Sequence, residues 1–118
     1  MVFQGRLALG GSRGAKLYSA NCQSCHQANG QGVPGAVPPL THLDQVVQTK
    51  GGGEYLIRVV LYGLQAPLTV QGKTYSGVMP PFRQLKDQEV ADLLNHILTT
   101  IPKSEAKPIS AEEVKAQR

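Results

Sequence analysis

Cys22-Gln23-Ser24-Cys25-His26 gathers both cysteines of the chain and one of its three histidines into five residues. Each thiol can add across a haem vinyl group to make a thioether. The imidazole beside the second cysteine can then reach the iron, so this short stretch offers covalent attachment and a proximal ligand together. Two other chemistries use cysteines at this spacing. A thiol redox pair belongs after a strand in a βαβ unit, and nothing before Cys22 reads as a strand. A closed zinc site needs four ligands, and the remaining His42 and His96 are not spaced as a second pair. Haem attachment explains the motif best. It consumes both thiols and leaves none for a disulfide.

A haem held on His26 has a second axial position, and its occupant decides what the iron can do. The chain has two methionines, and Met1 is its first residue, which leaves Met79 as the candidate thioether. Gly77 lets this loop approach closely, and Pro80-Pro81 stiffens the backbone just after the ligand. Stiffness matters because a neutral thioether binds iron weakly. The competing role for Met79 is to fill an irregular gap in the core. His42, in a loop, reads as solvent-exposed or bonded to a haem propionate. His96, one residue off an apolar stripe, reads as structural or half-exposed. Either is an alternative sixth ligand with a poorer context. When Nε2 of His26 binds iron, its Nδ1–H needs an acceptor, commonly a backbone carbonyl. The Pro38-Pro39 pair, twelve to thirteen residues on, can present one rigidly.

Positioning these groups requires a frame, and 118 residues make one domain. Aromatic residues are 5% of the chain and tryptophan is absent, so the core is thin unless a porphyrin supplies its large flat apolar body. Ser12 is a fitting N-cap for a helix over 13–21, whose Gly14, Leu17, Tyr18, Asn21 and Cys22 share one face. Gly14, four residues before Tyr18, suits close packing against another helix. A loop over 27–43 rich in glycine and proline wraps the haem edge, a short helix spans 54–64, and a second loop runs over 65–83. Val90, Leu93, Leu94, Ile97, Leu98 and Ile101 form a continuous helical stripe over 87–100, ended by Pro102. Ser110 and Glu113 make a capping box for a terminal helix over 111–117. The expected class is all-α, with three to four short helices and long loops wrapped around one covalently attached haem. Residues 1–11 read as a flexible lead-in, 12–101 as the haem domain and 102–118 as a C-terminal extension.

The formal charge of +4 falls to roughly +2 once two propionates are counted. That balance suits a soluble protein steering toward acidic partners, and it is too mild for nucleic acid. No run of roughly 18 apolar residues could span a membrane. Thioether attachment normally takes place in an exported compartment, so a periplasmic or otherwise extracytoplasmic location is expected. Since the first residues carry no apolar targeting core, a signal peptide or a preceding domain is expected to have been removed.

With those residues placed, the chain resembles a class I monohaem cytochrome c from about Ser12 to Ile101. The resemblance rests on Gly14-Ala-Lys-Leu-Tyr18, the Cys22–His26 motif, Pro38-Pro39-Leu40, Tyr75-Ser-Gly-Val-Met79-Pro80-Pro81-Phe82 and the final amphipathic helix. It implies thioethers on Cys22 and Cys25, a proximal bond from His26 and a distal bond from Met79. It further implies that the Pro38 carbonyl accepts from His26, that Leu40 packs on the ring, and that Gly14 and Tyr18 mark the crossing of the first and last helices. His96 departs from the aromatic residue often found near that crossing. Lys86 stands where relatives often have a Ser or Thr cap, so Asp87 is expected to cap the last helix. The Met79 loop and the tail are similar to cytochrome c domains accompanying nitrite reductases, alcohol dehydrogenases and terminal oxidases.

The function implied is one-electron transfer between redox proteins in a respiratory or dehydrogenase chain, by a carrier rather than an enzyme. Partners are expected to dock weakly at the exposed haem edge, with Val33, Pro34, Val37, Pro67 and Pro81 at the apolar centre and Lys16, Lys73 and Arg83 on the rim. Two alternatives stand beside it. One is a haem enzyme or gas sensor in which Met79 dissociates. The other is a tethered electron-accepting domain or subunit of a larger oxidoreductase.

Overall fold

Gly14 marks the point where the first helix, α1 (Gly11–Asn21), meets the helix expected from the apolar stripe, α5 (Asp87–Thr100). The computed structural model describes residues 11–65, 67–70 and 72–118. Between α1 and α5 lie α2 (Gln23–His26), α3 (Leu43–Gln48), α4 (Gly52–Tyr62) and an antiparallel hairpin of β1 (Leu68–Val70) with β2 (Lys73–Tyr75). A last helix, α6 (Ala111–Gln117), follows α5. The expected lead-in over 1–11 lies outside the described residues, except that Gly11 already belongs to α1.

A methyl group on Gly14 would run into the Asp92 carbonyl oxygen and stand 2.6 Å from His96 Cβ, so a bare Cα is what lets these backbones touch. Gly14→Ala is expected to cost about 1–3 kcal/mol, the usual range for overpacking. A lower denaturation midpoint with an unchanged visible spectrum checks this; an unchanged midpoint would mean that the helices have room to part. Around the crossing, the Tyr18 and His96 rings lie 5.9 Å apart at 49°, so the half-buried histidine occupies the aromatic position. Asp92, buried in the same place, pairs with Arg13 Nε at 3.1 Å and accepts from Gln88 Nε2 at 2.9 Å.

The stripe on α5 is buried as its spacing requires. Val90, Leu93, Leu94, Ile97 and Leu98 pack with Leu56, Ile57, Val60 and Leu61 of α4 in one cluster, each such side chain contributing about 1.5–3 kcal/mol of apolar burial. Ile109 and Val114 of the tail join the same cluster.

Five local expectations are corrected. The helix over 54–64 begins at Gly52 and ends at Tyr62, because a tight turn with Gly52 N–H donating to the Thr49 carbonyl at 2.8 Å starts it early. Leu64 instead pairs with the loop that follows. The loop after Leu40 gives way to α3, and the second loop contains the hairpin. Asp87 is the first residue of α5 rather than its cap, and Glu89 Oε1 reaches back to accept from Lys86 N–H at 2.7 Å. Ser12 likewise lies within the first turn of α1, which starts one residue before it.

Candidate haem site

Hydrogen bonds carry the chain from α1 straight into the cysteine motif. Cys22 N–H donates to the Tyr18 carbonyl at 2.9 Å, and Cys25 and His26 N–H both donate to the Cys22 carbonyl, at 3.1 and 2.8 Å. One helical turn thus fixes the relative placement of two thiols and an imidazole. Cys22 is buried and Cys25 exposed. The chain leaves α2 through Gln27 at φ 71°, a region that a non-glycine residue enters at a cost of about 1–3 kcal/mol. The Tyr18 hydroxyl donates to the Gln27 carbonyl and holds it there. Burial, with Cys22 adding to it, pushes the Tyr18 hydroxyl up to about 12, so this donor keeps its proton.

Cys22, Cys25, His26, Pro38, Leu40 and Met79 all line one cavity of about 650 Å³. His26 Nδ1 lies 3.3 Å from the Pro38 carbonyl oxygen. Burial pulls the His26 imidazole below its ordinary value, and the bond to Pro38 opposes that. Leu40 is held by its N–H, which donates to the Gly30 carbonyl at 2.7 Å.

Met79 is held from two directions. Its N–H donates to the Leu64 carbonyl at 2.9 Å and its carbonyl accepts from Leu64 N–H at 3.0 Å. Upstream, Ser76 and Gly77 N–H donate to the carbonyls of Gly35 and Ala36 at 3.1 and 2.8 Å, joining the Met79 loop to the loop that carries Pro38. A side chain at Gly77 would overlap the Ala36 carbonyl oxygen, so the expected close approach is made here, backbone against backbone.

The cavity fits a haem by size and by chemistry. Its volume lies within the about 300–1,000 Å³ of pockets that enclose whole cofactors. Leu56, Val59, Val60, Leu93, Leu94 and Ile97 supply apolar wall, and the described lining contains no Lys, Arg, Asp or Glu. The rival chemistries fare worse. Among the described residues no three of His, Cys, Asp and Glu cluster to hold a metal. Burial, reinforced by Cys25, pushes the Cys22 thiol up to about 11, the opposite of the lowered value that activates a redox thiol.

Of the alternative ligands, His42 lines the cavity and His96 does not. Tyr55 and Val78 also line it, 44% and 66% exposed, and neither was singled out from sequence. Tyr55 stands four residues before Val59 on α4, a helical spacing that gives the pair away once the helix is known. Val33 is 38% exposed and is not part of the cavity lining, while Val37 is half-buried within it. Arg83 is exposed, and its guanidinium sits 5.5 Å over the Tyr62 ring.

Helices, loops and attachment motif together define a small covalent-haem protein. The cytochrome c family profile matches residues 11–100, and the chain belongs to the cytochrome c family. One cytochrome c-552 of Thermus thermophilus is 52% identical over 119 residues, covering 97% of this chain and 80% of its own. A second cytochrome c-552 of Thermus thermophilus is 53% identical over 110 residues, 89% of this chain and 83% of that one. The cytochrome c subunit of the quinone alcohol dehydrogenase of Gluconobacter oxydans (strain 621H) is 31% identical over 109 residues, which are 92% of this chain and 22% of that subunit. The cytochrome c fold expected from sequence is therefore correct, with six helices among the described residues where three to four were expected, and with a two-stranded hairpin added. The protein is an electron carrier rather than a catalyst, and its cofactor is one haem c attached through Cys22 and Cys25. None of the described helices is long and apolar enough to cross a membrane.

Proposed function

We propose that His26 and Met79 are the axial ligands of the haem iron and that the protein shuttles single electrons between redox proteins in an exported compartment. When bound, haem supplies a ferric/ferrous couple. Everything else is the work of the chain. The Pro38 carbonyl, 3.3 Å from Nδ1, would take the Nδ1–H of His26, fixing the tautomer that leaves Nε2 free to hold the iron. Leu40 packs against the ring. Leu64 and Ala36 restrain the Met79 backbone, so a weak thioether ligand stays in place. With both axial positions taken, no position is left for a substrate. Apolar walls keep water away and favour the less charged ferrous state, raising the potential.

The observation carrying this reading is that the two cysteines, His26 and Met79 line a single cavity whose Met79 wall is pinned by backbone hydrogen bonds. The ferric holoprotein should be low-spin with a sulfur-to-iron charge-transfer band. High-spin iron that binds carbon monoxide at once on reduction would favour an open site instead. Residues 12–101 then form the haem-bearing unit, with 102–118 strapped across it. Donor and acceptor dock on the exposed rim around Tyr55 and Val78, burying less than about 1,200 Å² so that they part quickly. Likeness to the cytochrome c subunits of an alcohol and a gluconate dehydrogenase supports a dehydrogenase as one such donor.

A further inference from the structure

We infer that Arg118 closes a ring of bonds around the Met79 segment, and that this ring holds the thioether on the iron. The inference rests on Met79 being the axial ligand, as proposed above. One side of the ring is the end of α4. Gly63 stands there at φ 76°, and a side chain on it would overlap the Met79 carbonyl oxygen and lie 3.0 Å from Pro81 N, so the ligand segment packs directly on this turn. Leu64 exchanges both backbone bonds with Met79, and Phe82 N–H donates to the Val60 carbonyl at 2.9 Å. The strip from Met79 to Phe82 is thus bonded at both of its ends to the chain over 60–64. Between those ends Pro80 and Pro81 have no N–H to offer and little freedom to bend.

The tail builds the other side. The Arg118 guanidinium spends three donors on the segment that follows the strip: Nη1 donates to the Arg83 carbonyl at 3.1 Å, Nη2 to the Leu85 carbonyl, and Nε to Asp87 Oδ1 at 2.6 Å. From behind, the Tyr62 hydroxyl donates to the Arg118 main-chain oxygen at 2.9 Å, with that of Gln117 at 3.3 Å. Tyr62 is the last residue of α4, beside Gly63, so the circuit closes. It runs from Tyr62 to Leu64, across to Met79, through the two prolines to Arg83, and by Arg118 back to Tyr62. The Arg83 guanidinium over the Tyr62 ring adds a contact between the same two sides. A movement that lifts Met79 away must carry Pro80 and Pro81 with it, and so must break a bond on one side or the other. Two carbonyls and a carboxylate together suit the planar fork of an arginine, and the compact ammonium of a lysine cannot serve all three. Because the Arg118 and Asp87 side chains are about a third exposed, opening the ring alters how often Met79 leaves rather than whether the chain folds.

Reduced holoprotein takes up carbon monoxide only when Met79 has left the iron, so the rate of uptake reads the ring. Arg118→Ala should bind carbon monoxide about two- to fivefold faster than the parent, the range that a set of partly exposed bonds supports, while keeping the sulfur-to-iron band and the circular dichroism. Tyr62→Phe, which loses only the hydroxyl, opens the circuit at its other join and should give a similar acceleration. Both changes together should be no faster than the faster single variant, because one opening already breaks the ring. Arg118→Lys should stay faster than the parent. Parental rates in both folded single variants overturn the proposal, as does full additivity in the double variant or a parental rate in Arg118→Lys. Gly14→Ala, which loosens a helix crossing outside the ring, should keep the parental rate; an equal acceleration there would reduce the effect to general loosening and overturn it too. A parent without the sulfur-to-iron band fails on Met79 itself and takes the ring with it. A parent with the band whose variants do not respond fails on the ring alone.

Discussion

Met79→Ala is expected to remove the sulfur-to-iron band from the ferric spectrum and to lower the midpoint potential by roughly 0.1–0.3 V, a fraction of the about 0.8 V that axial ligands command. Losing a thioether exchanges a soft ligand that favours ferrous iron for water or nothing. The reduced variant should then bind carbon monoxide, which the parent should resist. The fold should survive, because the bonds between Met79 and Leu64 use backbone atoms that alanine also has. Retained circular dichroism and an unchanged haem-plus-polypeptide mass would establish that the loss is local. A variant that keeps both band and potential would mean that another group holds the iron.

Asn95→Ala should be the most damaging single change away from the haem. Asn95 is buried on α5, and its amide brackets Ile109: Nδ2 donates to the Ile109 carbonyl at 2.9 Å, and Oδ1 accepts from Ile109 N–H at 2.8 Å. Truncation leaves two buried backbone groups unpaired, at about 1–3 kcal/mol each, or roughly 2–6 kcal/mol together. The upper end is capped by the free energy of releasing the tail, since freed groups find water. Other ties are weaker. Arg118 Nε pairs with Asp87 Oδ1 at 2.6 Å and Nη1 donates to the Arg83 carbonyl at 3.1 Å, but both charges are about a third exposed, where such pairs are worth about 0–1 kcal/mol. Hydrogen exchange should therefore accelerate over 103–118 in Asn95→Ala, with Ile109 and Val114 leaving the core. Exchange there at the parent's rate would show that Arg118, rather than Asn95, holds the tail.

Features confined to neighbouring residues were legible in advance. The stripe on α5 predicts its own buried face, and the capping box appears as read, with Glu113 N–H donating to Ser110 Oγ at 3.2 Å and Ser110 N–H to Glu113 Oε1 at 3.0 Å. Elements too short to show a period were not. Six residues of α3 make fewer than two turns, and a helix that short exists because Leu43 packs into the core. Strands of three residues cannot display alternation either. Asp92 and Asn95 look like ordinary polar residues beside a stripe. Their burial is made possible by partners distant in the chain, Arg13 and Ile109, which no local pattern brings to mind.

What the sequence determined by itself was chemistry: two thiols and an imidazole at the spacing that attaches haem, one internal thioether, and helices whose apolar faces repeat within the reach of a window. Tertiary structure decided which groups those residues meet. It put the Pro38 carbonyl against His26 and joined the Met79 loop to Leu64 and Ala36. The division has a physical cause. Bonding capacity belongs to a residue, whereas the loss or gain of a partner depends on long-range backbone contacts whose free energy is settled only when the whole chain closes around its core.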